Sequence, residues 1–331
     1  MKHTRADENG VVLIALLWIL TALAVIALSF SRESFVEIAA ARNARDGAIG
    51  YYAARAGIAN AAFQLIQRRI VPRVQQLELQ GPPDPIDLGV LTGQAGDGEY
   101  RVEMQDESGK INVNFVQEPQ LRALMEALGI PQPDSDIIVD SIMDWRDVDE
   151  LRRANGAEND YYQTMNPPYK ARNGRFETVE ELLLVRGVTR EYFYGRVLRA
   201  EDGSYIRHVG LSDCLTVYSM VNNAINVNSA PVEVLMSVPG ISPETARMIY
   251  ERRKTKPFTN PAEISRTLPV SLGTNAAPML STNSTPVYTL TAEGRRQGAK
   301  TLRVVRAVVF LTPQEPSGYR VVYWNENVPR L

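Results

Sequence analysis

Between Asp144 and Tyr162 the sequence reads DWRDVDELRRANGAENDYY, and six carboxylates, Asp144, Asp147, Asp149, Glu150, Glu158 and Asp160, surround a loop-forming Asn155-Gly156 pair. A hard cation such as Ca²⁺ takes about six to eight oxygens, drawn from side chains of this kind and from backbone carbonyls. The spacing is not that of an EF-hand loop. A charge run is also the ordinary make-up of a solvated surface, and Arg146, Arg152 and Arg153 are close enough in sequence to pair with it. Exposed pairs of that sort contribute only about 0–1 kcal/mol each. Spacing alone leaves a cation site and a salt-bridged surface both open.

Other chemistry is bounded by composition. One cysteine, Cys214, and two histidines, His3 and His208, exclude an intramolecular disulfide framework, a cysteine-based zinc site and a multi-histidine metal centre. A membrane-anchored hydrolase would need a nucleophile with its base, and Cys214 has only His208 nearby in sequence. No enzyme is therefore expected. A net charge of −2 gives no global reason to expect nucleic acid.

The elements that must position these residues begin with a membrane-length run. Val11–Phe30 holds twenty residues without a charge, Pro or Gly, close to the ~20 apolar residues that span a bilayer as a helix. It follows the short leader MKHTRADENG, which ends at Gly10. A secretory signal peptide, with Ala22 and Ala24 as its cleavage pattern, and a plain single-span anchor are two readings of this stretch. A leader cut between Gly10 and Val11 is the third. No proline follows until Pro72, so a helix on the order of 90 Å is expected from Val11 to about Arg69. Phe35, Ile38, Tyr51, Ala54, Ile58, Ala61 and Leu65 recur as one apolar face of its second half. Gly47, Gly50 and Gly57 predict bending or loosening there.

The segment from Val71 to Gly98 reads as loop, TGQAGDG included. Glu99–Met104 alternates as a strand, DESGKINVN continues after a turn, Val287–Glu293 and Thr301–Leu311 flank a hairpin turn, and Gly318–Trp324 supplies a last strand. One early and three late strands on the N-terminal helix make a small antiparallel α+β domain with a large insertion. That insertion contains a repeat. Ile111-Asn112-Val113-Asn114 recurs as Ile225-Asn226-Val227-Asn228, and each copy leads to a leucine-rich helix ending at Gly-Ile. A third unit, FETVEELLLVRGVTREYF, sets Gly187 and Thr189 where the second has Gly240 and Ser242, so that each glycine ends one helix and each hydroxyl caps the next. Such helix-hairpin-helix units can bind DNA backbone, and Arg247, Arg252, Arg253 and Lys254 are basic. DNA-binding hairpins commonly repeat the glycine where this chain has Ser242 or Thr189, and a unit that packs a helical core is the competing reading.

The order of these features resembles one family. Gly10 before an apolar helix is similar to the type IV pilin and pseudopilin class. Ala15 stands where most such subunits carry Glu, five residues after the cut. Add Glu107-Ser108-Gly109-Lys110-Ile111-Asn112-Val113-Asn114, Asp144-Trp145 with Asp147 and Asp149, Gly156-Ala157-Glu158 before Tyr161-Tyr162, Asn173–Leu183 and Asn226–Pro231, and the chain resembles the K-type minor pseudopilins of bacterial type II secretion.

The resemblance implies a pilin-like α+β fold: leader 1–10, transmembrane and filament helix 11–30, amphipathic continuation 31–70, a pseudopilin domain from 71–112 and 286–331, and a mainly helical insertion 113–285 with helix-hairpin-helix-like units. It further implies calcium on Asp144, Asp147, Asp149, Glu158 and Asp160. Processing at Gly10 and N-methylation of Val11 by the prepilin peptidase would follow. So would a single-pass inner-membrane location with the globular part in the periplasm, and a pseudopilus-tip position with the I- and J-type minor pseudopilins and the major pseudopilin. The lost carboxylate at Ala15 fits a subunit with no neighbour above it, since an unpaired buried charge is costly. A minor pilin of a type IV pilus and a membrane-anchored helix-hairpin-helix DNA-binding protein are the alternatives.

Overall fold

The computed structural model describes residues 8–70, 89–199, 205–218, 224–267 and 276–328; the first seven residues of the leader and most of the expected loop after residue 70 lie outside it. A single helix, α1 (Glu8–Ile70), runs unbroken for 63 residues, about 95 Å at 1.5 Å per residue. Its apolar first part is long enough to cross a membrane and packs on nothing among the described residues, with Trp18 73% exposed.

Where the helix meets the sheet, its buried face is Ala53, Ala54, Ile58, Ala61, Ala62 and Leu65. Phe35 and Ile38 do not join that face and stay exposed, because the contacts with the sheet begin only near Asp46 and Gly47. The three glycines do not loosen α1 either. A Cβ on Gly50 would lie 2.7 Å from the Gly294 carbonyl oxygen, and one on Gly57 would lie 2.7 Å from Val102. Gly50 lets helix and strand backbones touch, while Gly57 and Gly47 make room for the side chains of Val102, Tyr100 and Arg303, a use of glycine that sequence read as weakness.

The sheet has five antiparallel strands in the order β1-β2-β9-β10-β11, with β1 Val90–Ala95, β2 Gly98–Asp106, β9 Val287–Arg296, β10 Leu302–Leu311 and β11 Tyr319–Asn325. The part of TGQAGDG expected as loop is thus strand β1 and a tight turn onto β2, so two strands precede the insertion. Strand direction relative to α1 follows from three contacts. Asp46 pairs with Arg296 at 2.9 Å, Gly98 abuts Ile49 and Ala53, and Gly318 abuts Ile66. The ends of β2 and β9 from which the insertion leaves and returns, Asp106 and Val287, therefore lie away from the membrane-length part of α1.

At that junction Glu107, Ser108 and Lys110 are all buried. Lys110 Nζ lies 2.6 Å from Glu107 Oε1. Thr289 donates to Glu107, Lys110 donates to the Ser212 carbonyl, and Asn226 donates to Ser108 Oγ. The sheet is so tied to both halves of the insertion. Burial pushes the neighbouring Asp106 carboxyl up, against hydrogen bonds from Ser284 and Ser108. DESGKINVN does not continue the sheet: Glu107–Gly109 is a 3-10 turn, and β3 (Ile111–Asn112) pairs in parallel with β6 (Leu215–Thr216) inside the insertion. The boundary expected after 112 moves to Asp106.

The insertion is one plan built twice. Strand β7 (Ile225–Asn226) pairs in parallel with β8 (Leu280–Ser281) as β3 does with β6, and between the two pairs β4 (Val197–Arg199) and β5 (Tyr205–Arg207) form a short antiparallel ribbon. Asn114 exchanges two hydrogen bonds with the Phe176 backbone, and Asn228 does the same with Phe258. Arg146 donates to the carbonyls of Val113 and Val116; Arg253 donates to those of Val227 and Ala230. The first unit carries helices α2 (Glu118–Ala127) and α3 (Gln132–Arg146), the second α7 (Val232–Met236) and α8 (Pro243–Thr255), with short helices α4 (Asn159–Tyr162), α5 (Arg190–Tyr194) and α6 (Leu211–Cys214) between.

Gly187 and Gly240 have positive φ as expected, and Thr189 and Ser242 cap α5 and α8. The third sequence unit begins, however, as a 3-10 turn, Val179–Leu184, in the place that 261–266 takes in the second copy: Glu181 accepts from the Glu177 amide as Glu263 accepts from the Thr259 amide. The two copies differ in one respect. Thirty positions separate Arg146 from Phe176, and five separate Arg253 from Phe258. The excess is the acidic stretch.

Removing one member of a buried ion pair strands its partner, at about 3–5 kcal/mol. Lys110→Met should therefore lower stability by roughly that amount, measured by denaturant unfolding, whereas Lys254→Met, which breaks an exposed pair with Glu251, should change it little.

Candidate metal centre

Helix α3 ends at Arg146, and its buried side carries Asp140 and Asp144 one turn apart. Asp140 accepts from Arg122 at 3.0 Å and from the Asn155 amide at 3.0 Å. Asp144, fully buried, accepts from the Arg153 backbone at 3.1 Å and from its guanidinium at 2.7 Å. These bonds draw 153–156 down on α3. A Cβ on Gly156 would lie 1.9 Å from Asp144 Oδ2, so no side chain fits there. Arg186 holds the Gly156 carbonyl at 2.9 Å. Beneath the segment Trp145 packs edge-on to Tyr162 and stacks on Phe176.

The path so fixed buries Glu158 at 2% exposure. Carboxylate oxygens of Asp147, Asp149 and Glu158 lie within 4.8 Å of one another. Both Glu158 oxygens, Asp147 Oδ1 and Asn173 Oδ1 are buried with no hydrogen-bond partner. A buried carboxylate without a donor is expensive, and the Glu158 carboxyl is pushed up to about 7, first by burial and then by repulsion from Asp144, Asp147, Glu150 and Asp149. Orphaned, converging, negatively charged oxygens are the donor set of a hard cation.

The structure brings together three of the five residues expected to share a cation. Asp144 is turned to Arg153 instead. Asp160 is exposed, bonds the Tyr161 amide and faces Arg152 at 3.8 Å. Of the three arginines expected as counter-ions, Arg153 bridges Asp144 and Asp147, Arg152 makes that loose pair, and Arg146 is spent on carbonyls. Glu150 is satisfied by Asn159 and Asn173 amides. Sequence reasoning missed Asp140 and Asn173. Asp140 was legible as the position one turn before Asp144; Asn173, at φ +47° and bonded to the Asp149 carbonyl, gave no signal beyond Asn-Gly.

The comparisons with known proteins agree on the family. The family model "Type II secretion system (T2SS), protein K" matches residues 100–195, which include the whole acidic stretch. Type II secretion system protein K of Aeromonas hydrophila is 25% identical over 81% of this chain and 82% of its own length. The chain is similar to type II secretion system protein K over most of its length. The Pseudomonas aeruginosa K protein is 28% identical over 52% of this chain, and the match spans 49% of that relative. A chain of the crystal structure of the GspK-GspI-GspJ complex from the enterotoxigenic Escherichia coli type 2 secretion system has the same fold, with a TM-score of 0.53 at 14% identity over 84% of this chain and 97% of that one.

A helix-hairpin-helix model matches residues 221–268. Its basic run is partly internal: Arg253 is 4% exposed on two carbonyls, and Lys254 pairs with Glu251. That arrangement packs the core of the insertion.

With no cation bound, the folded chain keeps a proton on Glu158 between about pH 4.5 and 7 that the unfolded chain releases. Stability should therefore fall as pH rises through that window. In chelator the melting temperature is expected to drop from pH 5.5 to pH 8, Glu158→Gln should remove that part of the slope, and saturating calcium should abolish it in the wild type alone.

Proposed function

We propose that this chain is a minor pseudopilin of the type II secretion pseudopilus that occupies the filament tip and helps to initiate its assembly. The observation that carries this reading is the polarity of the molecule. The membrane-length part of α1 is at one end, and the insertion is tied to strand ends near Ile66, roughly 50 Å along the helix from Phe30. A bulky domain at the far end of a pilin-like module leaves no room for another subunit above it. Ala15 in place of a carboxylate fits the same position, for a tip subunit has no neighbour's terminal ammonium to neutralise.

In this reading the leader is cut between Gly10 and Val11 by the prepilin peptidase, which then N-methylates Val11. In the uncut chain that bond lies in the first turns of α1, so cleavage requires local unwinding at Gly10. The apolar segment stays in the inner membrane with the globular part in the periplasm, and the I- and J-type minor pseudopilins, then the major pseudopilin, assemble beneath. Calcium, held by Asp147, Asp149 and Glu158, would neutralise the buried carboxylates and fix the acidic segment. Its role is structural.

Two measurements test the reading. Mass spectrometry of the mature chain should find an N-methylated start at Val11, and Gly10→Val should leave the chain full-length in the membrane; normal maturation of that variant would remove the prepilin reading. Co-purification with the I- and J-type subunits should show no gain for Ala15→Glu. A clear increase would count against the tip position.

A further inference from the structure

Arg153 occupies an unusual place in the metal centre. One nitrogen, Nη1, lies 2.7 Å from Asp144 Oδ1 and 2.8 Å from Asp147 Oδ2. Asp144 has no solvent exposure, while the Arg153 side chain is 39% exposed. The other oxygen of Asp147 is buried and unpartnered, as are both oxygens of Glu158. The guanidinium thus stands between a carboxylate that cannot reach water and one of three carboxylates that face a common point.

The framework does not depend on Arg153. Clamping of the repeat falls to Arg146 and Arg253, which make equivalent bonds in the two units. Arg153 lies in the stretch that the second unit lacks, and it arrives together with Asp147, Asp149 and Glu158. Its backbone N–H already supplies Asp144 with a donor. What the side chain adds is a positive charge inside an acidic cluster.

We propose that Arg153 is a built-in counter-cation of the metal centre: it keeps Asp144 out of the ligand set, takes one oxygen of Asp147, and thereby weakens the centre for divalent cations. The inference rests on the cation reading of Asp147, Asp149 and Glu158. A unit positive charge a few ångströms from a bound divalent ion repels it, and its removal should tighten binding on the order of tenfold even with strong solvent screening.

Calcium titration calorimetry of the full chain in detergent tests this. R153Q, which keeps a donor but loses the charge, should bind calcium about tenfold more tightly than wild type. R153K should stay near wild type. D144N/R153Q, which restores the net charge, should fall back towards wild type and still bind more tightly than D144N alone. That last comparison decides the matter if R153Q proves unable to fold in chelator. Wild-type binding with no gain in R153Q, or D144N/R153Q no tighter than D144N, overturns the role of Arg153 and leaves the cation site standing. No calcium binding in either wild type or R153Q overturns the site itself, and this role with it.

Discussion

The buried ion pair of Glu107 and Lys110 is the constraint on which the arrangement of the molecule turns. Two charges removed from water cost several kcal/mol each unless geometry and further hydrogen bonds offset the loss. Here Thr289 completes Glu107 and the Ser212 carbonyl completes Lys110. One partner comes from the sheet and the other from the insertion, so the pair is satisfied only when the two bodies meet in one orientation. Asn226 adds the second repeat through Ser108. An apolar seam of the same size would tolerate sliding; this seam does not.

Much of this was legible beforehand because it lies in local pattern. A proline-free run announced α1, alternation announced β2 and the three late strands, and the recurring Ile-Asn-Val-Asn announced a duplication. What was not legible depends on distant partners. Gly50 looked like a flaw until Gly294 came to rest against it. β1, with its Thr-Gly-Gln, is a strand only because β2 offers it a ladder of partners. Lys110 read as one polar residue in a short motif, yet its burial required Glu107, Ser212 and the insertion around them.

The candidate metal centre follows the same division. Sequence located the acidic stretch and not its sorting. Carboxylates one turn apart on α3, Asp140 and Asp144, became internal anchors because the helix turns them inward, and the loop beyond Arg146 supplied the converging set. Composition counts charges, whereas burial decides which of them are left without a donor. Glu158, one acid among six in the sequence, is distinguished in the fold by being buried with no hydrogen-bond donor on either oxygen.

The two repeats also make the molecule its own control. In the second unit five positions close the gap that thirty fill in the first, with the same asparagine and arginine clamps on both sides. The entry and exit of the acidic stretch are therefore held close together whatever lies between them. A segment anchored in that way can change its own order without transmitting strain to the scaffold, because the clamps absorb the closure. Ion occupancy at such a site would then be insulated from the shape of the insertion: surroundings poor in divalent cations would soften one surface and leave the distal domain standing.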